Sequence, residues 1–314
     1  MNDSYSQINL SKANFDEIYL QRDPRAYFSV LGALDYMIPD IAEPIVRQLV
    51  AAKERTCPRA EPPTVLDIGC SYGINAALHR FPLTFSMLRS RYARRELASV
   101  RPLELTRLDR NFYASWPQIG RARFVGLDVS EPAIEYARHV GLIDAGIAVN
   151  LERSALRPRE SESIRRANLL LSTGCIGYVT EATYRRVIDA LDELPWVVSF
   201  VLRIFPYDQV AAALEPYGLV TERLSATTFV QRRFRDVEEF QRSLKMLSDR
   251  GIDTAGFESE GRFQAQLFVS RPKAQARAAP LGEIVTVTSG RHRPVGARYV
   301  EVRTGDGVQI AIEP

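Results

Sequence analysis

The residues of this chain best suited to chemistry gather around one glycine-flanked turn, Thr64-Val65-Leu66-Asp67-Ile68-Gly69-Cys70-Ser71-Tyr72-Gly73. Val65, Leu66 and Ile68 form the short apolar run of a central parallel strand, and Ile74-Asn75-Ala76-Ala77-Leu78 begins a helix directly after the turn. Gly69 and Gly73 permit a tight backbone and close approach of a ligand, and the amides that open a helix attract polar or negative groups. Nucleotide binding is the chemistry this implies. A second apolar stretch, Arg123-Phe124-Val125-Gly126-Leu127-Asp128-Val129-Ser130, ends in an acid placed to accept hydrogen bonds from ribose hydroxyls, and Glu131-Pro132 starts the next helix. A dinucleotide fingerprint needs a further glycine three residues after the second, whereas position 76 is alanine.

Other reactive side chains are sparse. Cys57, Cys70 and Cys175 have neither metal nor redox spacing, which fits a reducing compartment, and Cys175 beside Gly174 reads as a small buried residue rather than a nucleophile. His79, His139 and His292 fall in helical or tail positions and read as surface or satisfied histidines rather than bases. No metal-ligand cluster is visible, so no metal is expected. The net charge of +3, from 41 basic and 38 acidic residues, is nearly balanced. Local basic clusters such as residues 91–95 and 231–235 read as solvated faces, so nucleic acid is not an expected partner. A polar N-terminus and the lack of any run near about 18 apolar residues argue against a membrane partner and for a cytoplasmic protein.

The elements that must position the turn follow from periodicity. Residues 8–54 read as helices, one around Asn14-Phe15-Asp16-Glu17-Ile18-Tyr19 and another starting at Pro24 with Asp23 as N-cap. Gly73 and Asp128 lie far apart for a compact nucleotide unit, whose acid comes about 20 residues after the turn. An insertion over about 82–120 is therefore predicted, rich in arginine, leucine and aromatics and forming one or two helices near the site's mouth. Further strands are predicted at 146–151, 168–173, 196–202, 219–232 and 263–269, with helices over 181–194, from 209 and over 237–248. Thr180 is the expected N-cap of the first of these helices. Residues 271–280 read as a linker, and 283–287 begins a small β tail.

The two acid-tipped strands and the glycine turn resemble those of the class I S-adenosylmethionine (SAM) dependent methyltransferases, whose first motif is an apolar strand, an acid and G-x-G-x-G. One departure stands out: Ser71 replaces the middle glycine. The resemblance implies an α/β, Rossmann-like seven-stranded class I methyltransferase fold. Its parts would be an N-terminal helical lid (1–60), a SAM-binding domain (61–272) with the helical insertion after its first helix, and a linker with a small C-terminal β appendage (273–314). It further implies SAM as cofactor. Asp67 would orient the methionine amine through the first loop, the Gly69 carbonyl would face it, and Gly73 would close the turn on the cofactor. Asp128 would hold the ribose, Val129 would flank adenine, and Asn150 and Leu151 would meet the adenine edge. Ser172 and Thr173 open the reaction-centre segment, in which Tyr178 would contact the sulfonium through cation–π attraction worth roughly 0.5–2 kcal/mol.

From the lid, where Tyr19, Arg25, Tyr27 and Tyr36 are candidates, Tyr27 joins Tyr178 as a catalytic candidate and Arg25 would pair with the cofactor carboxylate. Ser172-Thr173-Gly174-Cys175 is not the N/D-P-P-Y/F motif of amide and exocyclic-amine methyltransferases, which points to a small-molecule acceptor, plausibly in specialised metabolism. Two alternatives stay open. One is an enzyme resembling methyltransferases that cyclises SAM to azetidine-2-carboxylate with release of methylthioadenosine and needs no partner beyond SAM. The other is a catalytically silent SAM-binding scaffold. The insertion or tail is also a place for a homodimer contact.

Overall fold

The computed structural model describes residues 5, 8–10, 12–58, 60–225, 227–287, 299–304 and 307–312. Five strands run parallel: β1 (Thr64–Ile68), β2 (Arg123–Asp128), β3 (Ala145–Ala148), β4 (Leu169–Thr173) and β5 (Trp196–Leu202). Their order is β3-β2-β1-β4-β5. Every residue of β1 and β5 is buried. That is why these strands read as unbroken apolar runs: helices cover both faces of a parallel sheet, and each fully buried Val, Leu or Ile contributes roughly 1.5–3 kcal/mol. Asp67 is the exception inside β1, a carboxylate with no solvent exposure.

Beyond β5 the sheet turns antiparallel. β8 (Arg262–Pro272) lies against β5, and both β6 (Leu219–Arg223) and β7 (Thr227–Arg233) pair with β8. The single strand expected over 219–232 is thus broken in two, and its halves share one position in the sheet. From β3 to β7 the sheet has seven positions, the number the resemblance implies, but the tail adds two more and departs from expectation. Residues 271–280 are no loose linker. Arg271 is fully buried, ion-paired with Glu222 and 4.9 Å from the Trp196 ring centroid, and a helix over Lys273–Ala278 follows at once. Residues 281–284 are helical rather than β. The closing hairpin, β9 (Tyr299–Thr304) and β10 (Gly307–Ile312), joins the main sheet, with β10 parallel to β7.

Helices α1 (Asp16–Tyr19), α2 (Arg25–Ala33) and α3 (Ile38–Thr56) precede β1. Pro24 takes the N-cap position of α2, and Asp23 contributes from one residue earlier by accepting the Arg25 amide N–H at 3.1 Å. Helix α4 (Ile74–Arg80) follows the glycine turn, and the insertion supplies α5 (Phe85–Tyr92), α6 (Arg95–Ala98) and α7 (Pro102–Ala114). The insertion packs on α8 (Glu131–His139) through a buried polar cluster, in which Asp109 accepts from Arg91, Tyr92 and Tyr136. Then come α9 (Pro158–Ile164), α10 (Glu181–Ile188), α11 (Asp208–Leu214) and α12 (Val237–Asp249). Thr180 caps α10 as expected, accepting the Ala182 amide. Among the described residues no helix is long and apolar enough to cross a membrane.

Candidate functional site

Strand order reverses between β1 and β4, so their carboxyl ends part and leave a crevice, the usual ligand position in such sheets. A cavity of about 680 Å³ opens there. Its floor comes from the turn after β1, the end of β2 and the loop after β4, and its roof from residues 9–39.

The turn after β1 is shaped by left-handed backbone. Gly69 has φ +74°, and a side chain there would meet Cys175 at 2.9 Å. Ser71 adopts φ +49°, a conformation costing an L-residue roughly 1–2 kcal/mol. The serine thus reproduces the backbone that a glycine would adopt freely. Its amide donates to Asp128 Oδ2 at 2.8 Å, and its Oγ is buried with no hydrogen-bond partner among the described residues. Gly73, at φ +78°, caps α4 and stands outside the cavity wall, so its role is confined to closing the turn.

Asp128 lines the cavity. Its Oδ1 accepts the Ser130 amide at 2.9 Å, and burial pushes its carboxyl up against the pull of these backbone donors. Asp67 does not line it, contrary to the sequence reading. Its carboxylate sits behind Asn75, whose Nδ2 reaches both oxygens at 3.0 and 3.2 Å and also Thr173 Oγ1 at 3.0 Å. Burial raises Asp67 to about 7. Asn75, the second residue of α4, is therefore the group that presents this corner to the cavity, and only its place just after the glycine turn could have marked it.

The remaining expected residues divide in the same way. Val129, 67 % exposed, and the buried Leu151 both line the cavity. Asn150 lines it too, with Oδ1 accepting the Glu152 amide and leaving a second lone pair. Thr173 reaches the cavity, whereas Ser172 is buried behind it with Oγ 3.0 Å from Cys175 Sγ. Burial pushes the Cys175 thiol up to about 12, which leaves it a neutral wall residue. Of the lid candidates, Tyr19, Tyr27 and Tyr36 face the cavity and stack edge-on, with the Tyr27 ring 5.8 Å from Tyr19 and 6.4 Å from Tyr36.

Arg25 is a correction. Its guanidinium pairs with Asp23 at 2.8 Å and donates to the carbonyls of Leu97 and Ala98, so it ties the lid to the insertion and is absent from the cavity wall. The insertion itself contributes no wall residue. His79 is buried, and its imidazole is pushed down to about 3; His139 caps its own helix through the Glu135 carbonyl; His292 lies outside the described residues. Among the described residues no group of three potential metal ligands occurs.

Tyr178 lines the cavity while remaining 51 % exposed, and the Lys12 amine lies 5.2 Å from its ring centroid. Lys12 was not legible as a site residue, since it precedes the glycine turn by more than fifty positions in a polar stretch. Arg232, on β7, was equally hidden. It is held by Glu239 of α12 at 2.7 Å, and the same carboxylate accepts the Ala13 amide, fixing the lid to the sheet. Further ties run from Asn9 Nδ2 to the Gly177 carbonyl at 2.8 Å, and from the Tyr72 hydroxyl to the Ile18 carbonyl at 2.8 Å.

No family model matches the chain, and no curated protein matches it. Among solved structures it is similar to the plantazolicin methyltransferase BamL in complex with a desmethylPZN analogue and SAH, at 14% identity over 86% of this chain and 97% of that one, with a TM-score of 0.41. It is similar to the [4+2]-cyclase SpnF at 11% identity over 72% and 80%, TM-score 0.36. It is also similar to the O-methyltransferase of a trans-AT PKS multienzyme from Brevibacillus brevis with S-adenosyl-L-homocysteine, at 12% identity over 72% and 71%, TM-score 0.36. All three scores lie below 0.5, so the fold rests on the chain's own strand order and turn geometry. By that order and that turn, the chain has a Rossmann-like α/β fold with an antiparallel extension beyond β5.

Proposed function

We propose that the protein is a SAM-dependent methyltransferase acting on a small-molecule acceptor. The observation that carries the reading is the floor of the cavity, where a left-handed turn after β1 and the Asp128 carboxylate meet at the point of strand reversal. The residues present fit the cofactor. Asp128 accepts the Ser71 and Ser130 amides, with a further pull from the Val129 amide, and its remaining acceptor capacity is available to ribose hydroxyls. The buried Ser71 Oγ, which has no hydrogen-bond partner among the described residues, is a polar group that a ligand can satisfy. Val129 and Leu151 flank the adenine, Asn150 offers its edge a carbonyl oxygen, and Asn75 with Thr173 holds the methionine end.

The cofactor supplies an electrophilic methyl group on a sulfonium; the chain does the rest by placement. Tyr19, Tyr27 and Tyr36 close over the site, exclude water and present ring faces without charged acceptors that would compete for the methyl. Burial holds the Tyr27 hydroxyl protonated. Positioning acceptor and methyl in line accounts for rate without a strong base.

The test is calorimetric titration with SAM and with S-adenosylhomocysteine, followed by incubation with SAM alone and identification of any nucleoside released. Binding of both nucleosides, with no methylthioadenosine formed, is expected of a methyltransferase awaiting its acceptor. Failure of both to bind would overturn the reading, and methylthioadenosine above the uncatalysed rate would replace it with cyclisation of SAM.

A further inference from the structure

We infer that the Lys12 amine is the proton acceptor of this site, a neutral base that takes the acceptor's proton as the methyl group moves; the inference rests on the methyltransferase reading above. The amine lies 5.2 Å from the Tyr178 ring centroid and 5.0 Å from that of Phe205, at the edge of the cavity, and makes no hydrogen bond or ion pair among the described residues. The choice of lysine is informative, because only four of the chain's 41 basic residues are lysines. An arginine at this position would satisfy a need for positive charge but could never accept a proton.

Burial and Arg232 work toward the neutral amine and outweigh the two ring faces and Glu239, which favour the ammonium. From β7, Arg232 places a guanidinium nearby, and from α12, Glu239 is already committed, with its two oxygens accepting from Arg232, the Ala13 amide and the Arg235 amide. From the loop after β4, Cys175 is a protonated thiol and Tyr178 a phenol raised by burial. Desolvation first, and Arg232 second, lower Lys12 to about 7. Rival bases are spent: Asp67 lies behind Asn75, Asp128 belongs to the ribose, and Glu152 accepts from Thr180 and Thr183. Asp16 is exposed and bonded to Asn14.

A sulfonium in the cavity opposes an ammonium beside it, so SAM selects neutral Lys12. In the reaction a lone pair of the acceptor's oxygen or nitrogen forms the new bond to the methyl carbon, and the C–S bond breaks with its electron pair left on sulfur. The acceptor's O–H or N–H proton passes to Lys12 Nζ. Positive charge thereby moves from sulfur to Lys12, which later returns the proton to water. Acceptors are then O–H or N–H nucleophiles that must lose a proton, rather than preformed anions.

The test needs no acceptor. SAM and S-adenosylhomocysteine are titrated into wild type, Lys12→Met and Lys12→Arg at about pH 6 and about pH 8.5. In wild type the SAM-to-homocysteine ratio of Kd should rise roughly tenfold at the lower pH, because only the neutral tenth of Lys12 accepts the sulfonium. In Lys12→Met the ratio should be flat, which also cancels titration of the ligands' own amines, and in Lys12→Arg SAM should be the weaker ligand at both values. Mass-spectrometric acetylation of the four lysines in the free protein should show Lys12 titrating near 7. A pH-independent ratio in wild type, an unchanged pH dependence in Lys12→Met, or a Lys12 midpoint like those of Lys53, Lys245 and Lys273 would each overturn the inference while leaving the methyltransferase reading intact. Loss of all binding in wild type would instead remove that reading and the inference with it.

Discussion

Replacing Asp128 with alanine tests the nucleoside site most directly. The carboxylate accepts the Ser71 amide at 2.8 Å and the Ser130 amide at 2.9 Å, feels the Val129 amide as well, and lines the cavity with acceptor capacity left over. That remaining capacity is available to one or two ribose hydroxyls, and a hydrogen bond to a charged group is worth about 1.5–3 kcal/mol. Loss of one such bond weakens binding by at least about tenfold, and loss of both by at least about a hundredfold. Calorimetry with S-adenosylhomocysteine reads the effect without turnover. The same substitution strips two amides of their acceptor in free and bound protein alike, so thermal melting must accompany the titration to establish that the variant is folded. Asp128→Asn is the graded control, since its NH2 group must face one of the two amide donors and at most one oxygen remains for ribose. A folded Asp128→Ala protein with wild-type affinity would refute the assignment of the cavity floor.

On the proposed placement of the sulfonium, Tyr178→Leu removes a ring face beside it and should weaken SAM by about 2- to 30-fold, the range of a cation–π contact, while leaving S-adenosylhomocysteine nearly unchanged; competition titration compares the two. Glu239→Gln leaves the buried Arg232 guanidinium uncompensated and should cost about 3–5 kcal/mol in chemical denaturation, with earlier proteolysis of the lid that the Ala13 amide anchors. Asp67 has a folded pKa of about 7, raised above its unfolded value, so its contribution is complete below the unfolded pKa and is lost as pH rises through 7. Between about pH 5 and 7, Asp67→Asn should therefore lose less stability with rising pH than wild type, by about 1.4 kcal/mol per pH unit, measured by denaturant titration. Asp40 and Glu258, also raised to about 7 by burial, keep a residual slope in the variant. Equal slopes would contradict the burial of Asp67.

The sequence alone determined what depends on neighbours along the chain. β5 has the predicted bounds, Trp196–Leu202, because a strand buried on both faces must be apolar throughout. The turn at Gly69–Ser71 and the acid at Asp128 were legible because close backbone approach and a strand-end carboxylate leave local marks. The exchange of glycine for Ser71 was legible as a departure, but its outcome was not: only the fold shows serine held at φ +49° with its amide on Asp128. The tertiary structure alone decided where side chains from distant segments meet. Asp67 retreats behind Asn75, Arg25 turns to Asp23 and the insertion, and Lys12 and Arg232, 220 positions apart, arrive at one cavity. The C-terminal hairpin likewise extends the main sheet because β7 offers an open edge, a fact about strand order that no local pattern encodes. Propensity and burial period act within a few residues, whereas the partners of a charged or reactive group are chosen by the packing of whole elements.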